Sequence, residues 1–374
     1  MRQYLDHAST SPLRPEARSA MTEWLARSDF GDPARLHHEG HVVRVAIETA
    51  RDQVAALLGA RNREVVFTSG ATEAITTAIW GAAERGAHMV VPAIEHSAVR
   101  TAATVFGGEV TTVGCDRLGR VDASTVVDAI RDDTSLVHIQ WGNHEVGTIQ
   151  PVAEVVAACR ERGVLVHVDA AQAAGRVPIA FGELGADLMS VSAHKMGGPT
   201  GVGALLIRRG VRLRPLLTGS DQERARRAGV ENAVGIVGWG AACEALAASL
   251  DEEAARARRL RDRLIAASTS IDGVDPFGDW ENGLPHIACL GIGGVEPQAV
   301  LLALDQHGIS VHSGSACASE EIQPSPVLEA MGVEAARSLR LSLGWNSTDA
   351  DVDAFVAAFG EIVGGLRALA GGPS

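Results

Sequence analysis

Lysine and arginine together number 33, yet only one of them is a lysine, Lys195. A guanidinium stays protonated and delocalised and cannot condense with an aldehyde, whereas a primary amine can. Lys195 is therefore the one side chain here suited to imine chemistry, unless it is an ordinary surface lysine left by compositional bias. Its neighbours in Ser192-Ala193-His194-Lys195-Met196-Gly197-Gly198 are mostly small, so backbone and ligand can approach closely. Other polar clusters also follow apolar runs. Thr68-Ser69-Gly70-Ala71-Thr72-Glu73 opens a helix whose free N–H groups and dipole suit an anion, with a further donor from Thr72; an ordinary capped turn has the same composition. His96 can stack on a planar ring and move protons near neutral pH, or cap the next helix. Asn143 and His144 bring amide and imidazole donors, or plain turn chemistry. Asp169 closes Val164-Leu165-Val166-His167-Val168, where a carboxylate must meet a cation or cap a helix. Facing a protonated ring nitrogen at about 3 Å, with an effective dielectric of about 20, it would gain roughly 5 kcal/mol before desolvation.

An anion cradle, an acid and an amine at successive strand ends are the parts that a pyridoxal phosphate enzyme requires. The elements that must position them follow from the apolar runs. Residues 64–68, 88–91, 136–139, 164–168, 188–191 and 204–207 read as buried strands alternating with helices, and ligands bind beyond the carboxyl ends of such strands. Val42, Val43, Ala46, Ile47, Ala50, Val54, Leu57 and Leu58 form one helical stripe stopped at Gly59. Near residue 250 a charged helix begins, followed by fewer strands mixed with helices. The expectation is an α/β protein: a large domain over residues 13–250 with a mostly parallel sheet, and a smaller α+β domain from residues 1–12 and 251–374.

The motifs Tyr4-Leu5-Asp6-His7-Ala8-Ser9-Thr10, Ser69-Gly70-Ala71-Thr72-Glu73, Glu95-His96, Asn143-His144-Glu145-Val146-Gly147, Asp169-Ala170-Ala171-Gln172 and Ser192-Ala193-His194-Lys195 recur in order along nearly the whole chain. With Ser313-Gly314-Ser315-Ala316-Cys317-Ala318-Ser319 and Ser338-Leu339-Arg340-Leu341-Ser342, the sequence resembles the cysteine desulfurases of the class V aminotransferase group. That resemblance implies the aspartate aminotransferase-like fold, type I among pyridoxal phosphate enzymes, with a seven-stranded sheet flanked by helices in the large domain. It implies that Lys195 holds pyridoxal phosphate as an imine, that Asp169 pairs the pyridine nitrogen, and that His96 stacks on the ring and assists proton transfer. Ala71, Thr72, Ser192 and His194 would hold the phosphate, with Gln172 and His144 beside the ring oxygen. Arg340, helped by Asn143, would take the carboxylate of L-cysteine. Arg340 could instead line the wet face of a half-buried strand, since Ser338, Arg340 and Ser342 alternate with leucines. Cys317 would be the nucleophile that leaves with a persulfide. Cys159 and Cys243 sit among alanines, Cys289 in an apolar run and Cys115 beside a turn, so Cys317 alone has small polar surroundings.

The family reading further implies a homodimer that delivers sulfur to an acceptor or iron-sulfur scaffold protein. A related lyase or transaminase, for example one acting on selenocysteine, and a catalytically weak docking platform are the alternatives. Two positions depart from the usual motif. His144 stands where a second amide is usual, and Arg227-Ala228-Gly229-Val230 replaces a hydroxyl-bearing segment of the partner subunit, so Val230 implies a more easily stripped cofactor. The formal net charge of −13 disfavours nucleic acid as a ligand. No uninterrupted apolar run of membrane-spanning length and no signal-like amino terminus is apparent, which points to a cytoplasmic protein. Five cysteines without close pairs suggest neither a disulfide framework nor a metal site.

Overall fold

The computed structural model describes residues 2–313 and 324–370. Its strands are β1 (Gln3–Tyr4), β2 (Val65–Thr68), β3 (His88–Pro92), β4 (Glu109–Val113), β5 (Thr134–Gln140), β6 (Leu165–Asp169), β7 (Leu188–Ser192), β8 (Gly203–Ile207), β9 (Val274–Phe277), β10 (Ile287–Ile292), β11 (Ile309–Ser310) and β12 (Ser338–Ser342). Seven of them form one sheet in the order β2-β8-β7-β6-β5-β3-β4. All neighbours run parallel except β8, which is antiparallel to both β2 and β7.

Alternation along each strand supplies two apolar faces, and helices cover both, which is why these strands read as continuous hydrophobic runs. Val66, Leu136, Leu188 and Leu205 pack on one side with Ala74, Ala78 and Ala102, from helices Ala71–Ala82 and Ser97–Phe106. Val65, Phe67, Val137, Val166 and Met189 pack on the other with helices His38–Leu57, Val152–Arg162 and Ala233–Thr269. The parallel strands aim their carboxyl ends at one edge, where every polar cluster singled out in the large domain begins.

Helix Ala233–Thr269 runs 37 residues without a break through residue 250, where the composition changes. By length and composition it could cross a membrane. Here its first half buries Trp239, Cys243 and Leu246 against the large sheet, and its second half buries Leu260, Leu264 and Ile265 in a separate core. Gly240 permits the crossing with helix His38–Leu57, since a Cβ there would lie 2.7 Å from the Ala50 Cα. That second core is built on the antiparallel order β12-β10-β9, with helices Pro297–Gln306 and Asp349–Ala370. Leu5 joins it, because β1 pairs in parallel with β11.

Candidate active site

The chain leaves β7 through a 3-10 turn, Ala193–Met196, that carries Lys195. Three side chains hold its carbonyls. Ser11 and Arg176 donate to the Lys195 oxygen at 3.1 and 2.9 Å, and Arg14 Nε donates to the Met196 oxygen at 3.0 Å. Arg14 is held in turn by Glu253, at 2.9 and 2.5 Å. The backbone at Lys195 is clamped, so its side chain is the part free to act. Burial lowers the Lys195 pKa, Arg340 adds to that, and Asp169 opposes both. A lowered amine pKa enlarges the neutral, nucleophilic fraction that imine formation needs.

Asp169 ends β6 and pairs with Ser190 on β7 and Gln140 on β5. Its Oδ1 accepts Ala171 N–H at 3.0 Å and Ser190 Oγ–H at 3.2 Å. Just beyond β3, Glu95 is fully buried; Oε1 accepts Gln140 N–H at 2.7 Å, whereas Oε2 has no partner. Burial and the charge of Asp169 push the Glu95 carboxyl well above the usual range.

His96 caps helix Ser97–Phe106 by accepting Ala98 N–H at Nδ1, 3.1 Å away. Capping and a place beside the lysine are thus compatible. That bond fixes the neutral tautomer with its proton on Nε2. Burial, then His144, Lys195 and Arg100, lower the His96 pKa to about 3. With Nδ1 engaged and the ring neutral, His96 offers its Nε2–H as a donor. His144 stands edge-on to it with ring centroids 5.0 Å apart, and its Nδ1 is buried without a partner among the described residues. Its Nε2 lies 3.4 Å from Glu145. Burial raises the Glu145 carboxyl, but His144, Ser325 and Arg340 outweigh this and hold it below the usual range.

At the end of β2, Gly70 precedes helix Ala71–Ala82 without a side-chain cap, so the N-terminal N–H groups near Ala71 and Thr72 have no side-chain acceptor from the cap position. The loop lies close on β8: a Cβ at Gly203 would sit 2.6 Å from the Gly70 Cα. Thr72 is exposed and Ser192 buried. His194 meets Thr10 Oγ1 at 3.1 Å, with its pKa lowered to about 4 by burial and Lys195. Asn143 is fully buried and works within its own loop: its amide donates to the Ile94 oxygen at 3.2 Å and accepts N–H from Glu145 and Val146 at 2.8 and 3.0 Å. Gln172 donates to the Ala8 oxygen at 2.8 Å and meets His286 at 3.4 Å.

The strand β12 is buried at every residue, which removes the reading of Arg340 as a polar side chain on a wet face. Its guanidinium bonds Asp6 at 2.9 Å, Ser9 at 2.6 Å and the His144 oxygen at 2.9 Å. Cys317 lies outside the described residues. Among the described residues the free cysteines are Cys115, Cys159, Cys243 and Cys289. Burial pushes the Cys159 thiol up to about 12 and raises the other three as well, so none of them is poised as a thiolate. Asp6, Ser9, Arg14, Glu95 and Arg176 complete the site without having been singled out from sequence. Asp6, Ser9 and Glu95 stood inside the quoted motifs, whereas nothing local marked Arg14 or Arg176.

The class V aminotransferase family model matches residues 3–355. The chain belongs to that family. It is 40% identical to the cysteine desulfurase IscS of Dictyoglomus turgidum, over 98% of this chain and 95% of that protein. It is 41% identical to the cysteine desulfurase of Gluconacetobacter diazotrophicus, over 98% and 94%. A solved NifS-like protein superposes with a TM-score of 0.91 at 34% identity, covering 98% of this chain and all (100%) of that one. The structure of SspA in complex with cysteine gives a TM-score of 0.80 at 29% identity, covering 91% and 98%. Within the family, the chain falls among the cysteine desulfurases, whose cofactor is pyridoxal phosphate. The residues present fit that group: an amine with a lowered pKa, a carboxylate at the adjoining strand end, an uncapped helix start for a phosphate, and the unpartnered buried Nδ1 of His144.

Proposed function

We propose that this protein is a pyridoxal phosphate-dependent cysteine desulfurase, which converts L-cysteine to L-alanine and passes the sulfur through Cys317 to an acceptor protein. The observation that carries this reading is the clamped Lys195 turn, which sets the chain's only lysine beside Asp169, His96 and Arg340. Bound there, pyridoxal phosphate supplies an electron sink that weakens the Cα–H bond of the amino acid. Asp169 would hold the ring nitrogen of that group. Lys195 would hold the cofactor, and its Nζ would carry the proton at Cα, because His96 Nδ1 is committed to Ala98. Arg340 orients the substrate by its carboxylate, and Ala71, Thr72, Ser192 and His194 seat the phosphate.

The Cys317 thiolate attacks the substrate sulfur, and the electron pair of the Cβ–S bond returns to carbon, where protonation completes alanine. Cysteine plus thiol thus yields alanine plus persulfide with no external oxidant or reductant. A homodimer, a cytoplasmic location and an acceptor from iron-sulfur assembly belong to the same proposal, and relatives named IscS support the last of these. Cys317→Ser tests it. The variant is expected to keep its yellow colour and lose sulfide transfer. Undiminished turnover would favour a lyase or transaminase for which this thiol is dispensable.

A further inference from the structure

Arg340 sits in the middle of buried β12, and its five N–H donors are unevenly used. Nη1 donates to the His144 oxygen at 2.9 Å, and Nη2 donates to Asp6 Oδ1 at 2.9 Å and Ser9 Oγ at 2.6 Å. Nε is buried and has no partner among the described residues. Asp6 Oδ1 also accepts the Ser9 hydroxyl at 2.9 Å, so the two residues form one acceptor unit at a single guanidinium nitrogen. Backbone holds that unit in place: Asp6 bridges to Ser342, and Leu5 O accepts Ser342 N–H at 2.7 Å. With side chains 5% and 18% exposed, the Arg340–Asp6 pair is only weakly screened by solvent. Both Nη2 donors of Arg340 are thus engaged by Asp6 and Ser9, so a carboxylate that reaches the guanidinium gains Nη2 only by sharing it with them.

We propose that Asp6 sets the strength and selectivity of carboxylate binding at Arg340, by orienting the guanidinium and taking up part of its charge. The inference rests on the reading of Arg340 as the seat of the substrate carboxylate. Cysteine and alanine carry the same carboxylate, so affinity at that seat is uniform between substrate and product and contributes nothing to the chemical step. A seat weakened by Asp6 lets alanine leave, and it resists ligands that bring a second carboxylate.

The test uses the holoenzyme with Asp6→Asn, which keeps the Oδ1 acceptor and removes the charge. Three ligands separate the effects: L-cysteine, 3-mercaptopropionate (carboxylate without amine) and cysteamine (amine without carboxylate). The KM for cysteine and the inhibition constant of 3-mercaptopropionate are expected to fall about three- to tenfold, with the cysteamine constant unmoved. An unchanged or weaker 3-mercaptopropionate constant overturns the inference, as does an equal shift for cysteamine, which marks a merely structural role. Should Asp6→Asn fail to fold, Ser9→Ala frees an Nη2 donor and is expected to tighten 3-mercaptopropionate alone; no tightening overturns the inference. Arg340→Gln separates the two layers. If it leaves 3-mercaptopropionate binding intact, the reading of Arg340 itself is wrong; if it abolishes binding while Asp6→Asn changes nothing, only the role of Asp6 is wrong.

Discussion

Glu223, Arg224 and Ala225 lie consecutively in the left-handed region, with φ of 47°, 61° and 61°. Each such L residue costs on the order of 1 kcal/mol or more. Glu223 offsets its share: its buried carboxylate takes two bonds of 2.7 Å from Arg51 and one of 2.9 Å from Phe67 N–H. The methyl of Ala225 offers no such return. Ala225→Gly is expected to stabilise the protein by about 1 kcal/mol, seen as a higher urea midpoint at unchanged slope; an unchanged or lower midpoint contradicts this. At this scale the sequence was legible wherever residue type alone limits the chemistry. Lys195, Asp169 and His96 stood out because each follows an apolar run and few side chains can do what they do. The upward shift of the Glu95 carboxyl was not legible, since it comes from complete burial and from Asp169 on a different strand. Nor were the partners of Arg340, because Asp6 and Ser9 meet it only through the fold.

Between the elements, the Lys195 turn depends on contacts from the amino-terminal segment and from helix Ala233–Thr269. Arg14 joins them by donating to Met196 and pairing with Glu253, with side chains only 6% and 12% exposed. Arg14→Met keeps much of the apolar stem and removes both interactions, leaving Glu253 buried without its cation. The expected loss is about 3 kcal/mol by urea denaturation. Arg14→Met with Glu253→Met is expected to recover part of it, and a single variant as stable as the parent contradicts the clamp. The apolar runs located the buried strands to within a residue or two, because continuous hydrophobicity marks strands covered on both faces. The strand β4 escaped that signal: it is an edge strand, Glu109-Val110-Thr111-Thr112-Val113, half exposed and without an apolar run.

Across the whole molecule, buried neutral histidines govern the response to acid. Burial lowers His7 and His138 from 6.5 to about 3, with Arg176 adding to the effect at His7. His138 and His167 share a 2.8 Å Nδ1···Nδ1 bond between β5 and β6, and both Nε2 atoms are buried without partners among the described residues. Below pH 6.5 the unfolded chain takes protons that the folded one refuses until about pH 3. Stability is therefore complete above about 6.5 and is lost as the pH falls towards 3, by at most about 1.4 kcal/mol per pH unit for each such group. The urea midpoint is expected to drop clearly between pH 7.5 and 5; a flat midpoint over that window contradicts the neutral histidines. Composition revealed the number of histidines, whereas their burial depends on strand pairing that no local pattern shows.

The central claim is that Lys195 is the amine that carries the cofactor. Borohydride reduction of the holoenzyme followed by peptide mapping tests it most directly. The predicted result is a single pyridoxyl adduct on the peptide containing Lys195; an adduct elsewhere, or none on a yellow protein, would contradict the account.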